Sequence, residues 1–402
     1  VKPETIRRID LCVGKPLCFF LSCVRRIRRN KEESERKSHK IRRVLFIKFI
    51  EQGATVLAYN ALYEAIDRFG KENVYFAVFE ENREVLDILQ ILPEKNIFSL
   101  RSKSPLRFLG DWLKTLKSLR RIGIDATIDF EFFTRAPAVF AYLTRAPFRV
   151  GLHRFNSELP FRGNLMTHRV QYNPYLHVSV LYTIMLRSLY TDPQEEPLLK
   201  TAADFEIQNA PKFVPTKEEI DAVQGKLGGQ DKQSGPIFLL NPNASDMLPL
   251  RKWPSERFVA LGKKILRNYK DARVVITGTP SEQASAEEIG QAIGKRRVIS
   301  LAGKTSLREL IVLYTLADVL ITNDSGPSHF SALSDIHTIV LFGPETPELY
   351  GGRGNNTHIL WAGLACSPCV NVFNHRFSPC TNNRCMQSIS VNEVFDKIQD
   401  CL

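Results

Sequence analysis

The chain has 402 residues, 44% of them hydrophobic and 24% charged, and a formal net charge of +12. That length exceeds one ordinary hydrophobic core and predicts two domains, while the composition is that of a soluble globular protein and the absence of a short-period repeat disfavours solenoids and propellers. No apolar run is long enough to span a membrane and no cleavable signal pattern is present, so a cytoplasmic protein is expected.

Residues 1–41 read as a basic amphipathic arm. Val1 to Arg43 holds 14 Lys or Arg against 5 Asp or Glu. Within it Leu17-Cys18-Phe19-Phe20-Leu21 runs into Arg25, Arg26, Arg28 and Arg29, predicting a short helix with an apolar end and a basic end. Such a segment suits the headgroup layer of an anionic membrane, with Phe and Leu inserted and Arg on lipid phosphates. Nucleic acid is disfavoured because its binding patches seldom carry such an apolar centre; packing on the protein's own surface is the third reading. Lys31 to Lys40 reads as a solvated linker or helix end.

Residues 42–210 carry the first run of alternating elements. Arg42 to Ile50 is a buried strand, followed by the turn Glu51-Gln52-Gly53 and a helix from Thr55 to Phe69. Strand Val74 to Phe79 precedes a helix from Asn82 to Leu92. A third helix, Asp111 to Ile122, carries Leu113, Leu116 and Leu119 on one face. Strand Ala126 to Phe130 then leads to helix Thr134 to Leu143. The stretch Gly151 to Ala210 is less regular, with Arg154, Arg162, His168, Arg169 and His177 and a helix from Tyr175 to Tyr190. Residues 211–234 read as a linker in a Pro- and Gly-containing hinge region.

The same rhythm restarts over residues 235–390. Strands are predicted at Pro236 to Leu240, Arg273 to Thr277, Val298 to Ser300, Val319 to Thr322 and Thr338 to Phe342. Helices intervene at Ser255 to Asn268, Ser281 to Gly294 and Ser306 to Ala317, and residues 391–402 form a last helix. Strands alternating with helices imply parallel sheets covered on both faces, an α/β class with two Rossmann-like domains.

The loop Asn323-Asp324-Ser325-Gly326-Pro327-Ser328-His329 joins a strand to a helix. Gly326 permits a tight turn and Pro327 suits a first helical turn. Free N–H groups and hydroxyls of Ser325 and Ser328 there suit a phosphate, although a plainly capped helix explains the same residues. Asp-Ser-Gly-Pro-Ser-His after one strand and Phe-Gly-Pro-Glu-Thr-Pro, 342 to 347, after the next resemble the donor-binding half of glycosyltransferase family 9, the heptosyltransferase family of lipopolysaccharide core assembly.

The resemblance implies the GT-B fold, two parallel sheets facing across a cleft, with the last helix crossing back onto the first domain. It also implies an inverting, metal-independent transfer of heptose or a related sugar. The donor would be a nucleotide-sugar, with ADP the expected nucleotide, and the acceptor a lipid-linked glycan on the inner face of the inner membrane. Ser245 and Arg251 or Lys252 would meet the donor phosphates, stabilising charge on the leaving diphosphate. Glu282, in a turn similar to the family's Gly-x-Pro-x-Glu, would accept from a ribose, and otherwise is a first-turn helix residue. Asp324, Ser325, Gly326, Ser328 and His329 complete the donor set; a lone His of this kind is also commonly just packed.

Inverting transfer needs a carboxylate base. The family places Asp directly after the Gly of the first turn, whereas here Gly53 is followed by Ala54. Glu51 in that same turn is the first candidate base, and Glu131 and Asp129 are the second. Lys48 resembles the family's Lys on the preceding strand. A nucleotide-sugar 2-epimerase of the same fold and a catalytically inactive nucleotide-sugar binder are the alternatives. Cys366, Cys369, Cys380 and Cys385 have a spacing that suits structural zinc, ordinary buried thiols or a redox pair; no catalytic metal is expected.

Overall fold

Short apolar runs and amphipathic helices build two six-stranded parallel sheets. The computed structural model describes residues 8–132, 134–153, 161–203, 205–228, 235–244, 248–372 and 377–402. Contacts divide the chain into one unit of Val1–Gln208 with Val372–His375 and another of Asn209–Asn371 with Arg376–Leu402.

The first sheet contains β1 (Val44–Ile47), β2 (Val74–Phe79), β3 (Ile97–Leu100), β4 (Ala126–Asp129), β5 (Phe148–His153) and β6 (His168–Gln171). Their order is β3-β2-β1-β4-β5-β6. In the second, β7 (Ile237–Asn241), β8 (Arg273–Ile276), β9 (Val298–Ser300), β10 (Val319–Asn323), β11 (His337–Phe342) and β12 (Thr357–Trp361) stand in the order β12-β11-β10-β7-β8-β9. Each sheet is therefore a doubly wound arrangement whose order reverses beside its first strand. The reversal opens a crevice at the carboxyl ends of β1 and β4 in one unit and of β7 and β10 in the other. Central strands are buried on both faces, which is why β1 reads Val-Leu-Phe-Ile without alternation.

Helix faces complete the cores. The helix Ser255–Asn268 turns Phe258, Leu261 and Ile265 inward, at helical spacing. In the first unit Phe49 stacks on Phe79 at 5.0 Å and meets Phe140 edge-on at 5.5 Å. The helix expected to begin at Asp111 begins at Pro105, and its buried residues are Trp112, Thr115, Leu116 and Leu119. Leu113 is 59% exposed, because the Trp112 side defines the inward stripe. The helix expected from Thr55 to Phe69 is two helices, Gln52–Leu57 and Tyr59–Phe69, divided at Ala58.

The N-terminal segment is more than a short helix followed by a solvated linker. One continuous helix spans Lys15–Ser38 and packs on the first unit. Cys18 is fully buried, which pushes its thiol up to about 11. Arg25 Nη1 donates to Met166 O and Asn164 Oδ1, both at 3.0 Å, and its Nε donates to Glu32 Oε2 at 3.0 Å. Glu32 Oε2 also accepts from Arg149 Nη2 at 2.8 Å. Close approach requires Gly163, at φ +65°: a Cβ there would lie 2.7 Å from Cys18 O. Residues 31–38 are helical because Arg29–Glu33 and Lys31–Glu35 pair one turn apart while Glu32 anchors inward.

The expected linker 211–234 also has structure of its own. A capping box of Thr216 and Glu219 starts the helix Lys217–Lys226. Arg308 pairs with Glu219, and Lys226 with Glu309 at 2.7 Å, so this helix belongs to the second unit. The last helix, Val391–Cys401, also belongs there, with Val394, Phe395 and Ile398 in that unit's core. Its apolar stripe fits the surface of helix Ser255–Asn268, where Lys264 Nζ sits 4.4 Å from the centre of the Phe395 ring. Among the described residues no helix is long and apolar enough to cross a membrane.

Candidate functional site

In the first unit the crevice between β1 and β4 gathers Lys48, Glu51, Asp129 and Glu131. Lys48 is one residue beyond β1 and only 1% exposed. Its Nζ donates to Glu51 Oε2 at 3.1 Å and to Glu131 Oε2 at 3.2 Å. Burial by itself would lower the ammonium's pKa, but Glu131 and Glu51 outweigh it and the net direction is upward.

The three carboxylates differ in what they can do. Glu131 is buried, and its Oε1 accepts from the N–H groups of Phe49 at 2.7 Å and Ile50 at 3.0 Å. It therefore ties the loop after β1 to the end of β4. Asp129 is fully buried; its Oδ1 accepts from Glu131 N at 3.0 Å and its Oδ2 from Arg162 Nη1 at 2.9 Å. Burial pushes this carboxyl up to about 7, against the opposing pull of Arg162 and the Glu131 N–H. Glu51 has a side chain 26% exposed. Its backbone is left-handed at φ +69°, an unusual state for a side-chain-bearing residue, and it immediately precedes the helix Gln52–Leu57. In that turn Gly53, Thr55 and Val56 are buried, whereas Glu51, Gln52 and Ala54 are partly exposed. Of the expected bases, Glu51 alone combines partial exposure with a strand-end turn. Arg162, noted in the sequence only as part of a basic stretch, supplies the buried counter-charge.

In the second unit the expected donor residues occupy successive strand-end loops. Arg251 and Lys252 follow β7, Glu282 follows β8, and Asp324 to His329 follow β10. Ser245 lies outside the described residues. Arg251 Nη1 is 3.5 Å from Asp324 Oδ2 and 3.5 Å from Glu345 Oε2, both carboxylates being nearly fully buried. Glu345 lies in the Phe-Gly-Pro-Glu stretch after β11, but sequence alone assigned it no role. Among the described residues, no hydrogen-bond partner faces the buried Arg251 Nε or Asn243 Nδ2. Two such donors favour an anionic or carbonyl-bearing ligand, and the buried Asp324 Oδ2, which also has no hydrogen-bond partner among the described residues, adds an acceptor to the same crevice.

Asn323 fixes this crevice. Its Oδ1 accepts from Trp253 N at 3.0 Å, and its Nδ2 donates to Pro242 O at 3.0 Å and Asn243 O at 3.2 Å. It thus joins the loops after β7 and β10. Glu282 Oε2 accepts from Thr279 N at 2.8 Å, forming a capping box, and it faces Asn243 across Gly278. A Cβ on Gly278 would sit 3.2 Å from Glu282 Oε2 and 3.3 Å from Asn243 Nδ2.

Ser325 precedes the short helix Gly326–Phe330 without a side-chain capping bond, and Ser328 and His329 within the helix are buried. Ser328 Oγ donates to Ser325 O at 2.7 Å, and Ser325 Oγ to Asn323 O at 3.2 Å. Both hydroxyl protons thus close the turn itself, and the shape of the loop rather than these protons is what they supply. Lys252 is partly exposed, and its carbonyl accepts from Asn383 Nδ2 at 2.9 Å.

The C-terminal cysteines are spread over one neighbourhood. Burial raises the Cys385 thiol, and Cys369, Cys366 and Cys380 add to that rise while its bond with Met386 opposes it. Cys369 Sγ accepts from Ser378 Oγ at 3.3 Å and Cys380 Sγ donates to Asn382 O at 3.3 Å. Among the described residues, no three of these four sulfurs lie within 4.8 Å of one another.

Known proteins share this architecture. The chain is 28% identical over 173 residues to lipooligosaccharide heptosyltransferase 2 of Campylobacter jejuni, covering 42% of this chain and 52% of that protein. It spans about half the length of the first curated relatives it matches. The solved ADP-heptose LPS heptosyltransferase II of E. coli superposes with a TM-score of 0.67 at 16% identity, covering 89% of this chain and 98% of that one. The E. coli heptosyltransferase WaaC with ADP gives 0.64 at 16% identity, covering 90% and 100%. These likenesses give the GT-B fold. Residues 112–376 match the family profile, and the chain belongs to glycosyltransferase family 9, the heptosyltransferase family.

Proposed function

We propose that the chain is an inverting glycosyltransferase that moves heptose, or a closely related sugar, from ADP-heptose to a lipid-linked acceptor such as lipopolysaccharide core. The observation that carries this reading is the set of loops after β7, β8, β10 and β11, which brings Arg251, Asn243, Glu282, Asp324 and Glu345 to one crevice end of the second sheet. Unpartnered donors at Arg251 Nε and Asn243 Nδ2 suit the diphosphate. Glu282, with one carboxylate oxygen in its capping box, suits a ribose hydroxyl.

Glu51 is the proposed base. It removes the acceptor hydroxyl's proton as that oxygen attacks the anomeric carbon and the bond to the diphosphate breaks. The proton ends on Glu51, and the sugar is transferred with inversion. Lys48 orients Glu51 through its Nζ contact with Oε2 at 3.1 Å. Arg251 supports the charge developing on the leaving diphosphate, so no metal is invoked.

The N-terminal helix supports peripheral binding to an anionic membrane, on the cytoplasmic side of the inner membrane. Phe19 is 64% exposed, Phe20 61% and Ile27 87%, on a helix whose opposite face is anchored through Cys18 and Arg25. Exposed Leu106, Leu109 and Leu113 give the helix Pro105–Ile122 of the same unit a second apolar stripe.

Calorimetry with ADP, UDP and GDP, each with and without a chelator, tests the donor assignment. Selective binding of ADP that is indifferent to chelation supports it and leads to a transfer assay with ADP-heptose and core lipid acceptors. Absence of nucleotide binding overturns it; preference for UDP redirects it to another sugar or to epimerisation.

A further inference from the structure

At the amino end of the second sheet, away from the donor crevice, three side chains of metal-ligand type converge. His337 begins β11, His358 is the second residue of β12, and Cys401 ends the helix Val391–Cys401. The parallel register pairs Thr338 with Thr357 and Ile339 with His358. His337 is thus in step with residue 356, and His358, two residues further on, points to the same face. The last helix packs on β11 and brings Cys401 to the pair.

One ligand atom from each of the three lies within 4.8 Å of the others. His337 Nδ1 and His358 Nε2 are 3.5 Å apart, with the rings nearly parallel at 17°. That separation exceeds an ordinary hydrogen bond, yet two nitrogens at tetrahedral zinc, each about 2.0–2.1 Å from the ion, stand about 3.4 Å apart. All three residues are partly buried. Two imidazoles and a thiolate make a borderline-soft set that favours zinc over magnesium or calcium.

The surrounding charge is nearly balanced. Lys397 lies close to both His358 and Cys401, but its Nζ is paired with Asp400 Oδ2 at 2.7 Å. Cys401 Sγ donates to Lys397 O at 3.0 Å in the thiol form.

We propose that His337, His358 and Cys401 form a zinc site that pins the last helix to the β11–β12 edge, with water in the fourth position. Binding releases the Cys401 proton to solvent, forms two Zn–N bonds and one Zn–S bond, and involves no redox step. The site is separate from the Cys366 to Cys385 set and from the donor crevice.

The test uses the full chain stripped with a chelator and titrated with zinc by calorimetry, and with cobalt by absorption. The C366S/C369S variant is expected to retain one tight equivalent with the thiolate-to-cobalt charge-transfer band. H358A and C401S are expected to lose that equivalent, and with it the rise in Tm that zinc gives the wild type. Equal zinc binding in H358A, C401S and wild type overturns the site, leaving an imidazole pair without metal. Loss of all zinc binding in C366S/C369S overturns it as well. H358N, which keeps side-chain volume closer, and C401A, which places no hydroxyl against the neighbouring apolar side chains, provide the same readout if either first variant fails to fold.

Discussion

Lys48 donates to Glu51 Oε2 at 3.1 Å, and so a fully buried cation at the end of β1 holds the partly exposed carboxylate of the next turn. The pair gives Glu51 a fixed position and a counter-charge while leaving part of it accessible. If Glu51 is the base, Glu51→Gln lowers kcat by roughly 10²- to 10⁴-fold and leaves ADP affinity near the wild-type value. Steady-state transfer rates beside ADP calorimetry check this; an undiminished kcat removes Glu51 from the chemistry.

Ala54 shares partial exposure with Glu51 in the same turn, at the position where the resembling family carries Asp. Adding Ala54→Asp to Glu51→Gln is therefore expected to restore part of the lost turnover. The comparison is between the double variant and Glu51→Gln alone, and equal rates in the two would mean that the turn does not present the base.

Glu131 has a different expected phenotype. Glu131→Ala deprives Lys48 of a buried partner and leaves the N–H groups of Phe49 and Ile50 without their acceptor. Breaking a buried pair of this kind costs about 3–5 kcal/mol, read as a lowered denaturation midpoint. A stable Glu131→Ala protein with low turnover would instead move the base to this position.

Asp129 gives a pH signature. Its carboxyl lies at about 7 in the fold against an ordinary 3.8, so between those values the folded state holds the extra proton. Its contribution to stability is fully present below about 3.8 and is lost as pH rises through about 7. The Tm of wild type relative to Asp129→Asn is thus expected to fall between pH 4 and 7, a window accessible to scanning fluorimetry. A difference that is flat or rises across that window contradicts the assignment.

The N-terminal helix separates binding from folding. Phe19→Ser with Phe20→Ser alters only strongly exposed side chains, so Tm is expected to hold while sedimentation with anionic vesicles falls several-fold. Neutral vesicles should retain little of either protein. Unchanged sedimentation of the double variant with anionic vesicles counts against membrane docking through this face.

Strand and helix periodicity carried most of the fold. Val74–Phe79 and Ser255–Asn268 have the same limits in sequence and structure, because a central parallel strand is a continuous apolar run and a packed helix has a 3.6-residue stripe. Strands β3, β5, β6 and β12 were not legible. They are short or carry Arg149, His168 and His358, whose polarity hides strand character until their neighbours are known.

The loops holding Arg251, Glu282 and Asp324 were legible because turn chemistry is local. What only the tertiary structure decided is which charges meet. Glu51, ranked first for its turn, and Asp129 and Glu131 are all strand-end carboxylates in sequence; burial and the placement of Lys48 and Arg162 make the first partly exposed and the other two internal. Arg251 with Glu345, and Arg25 with Asn164, are likewise joined across 94 and 139 residues. Periodicity records which face of an element is buried, whereas a charge partner is set by distances in space that no local pattern encodes.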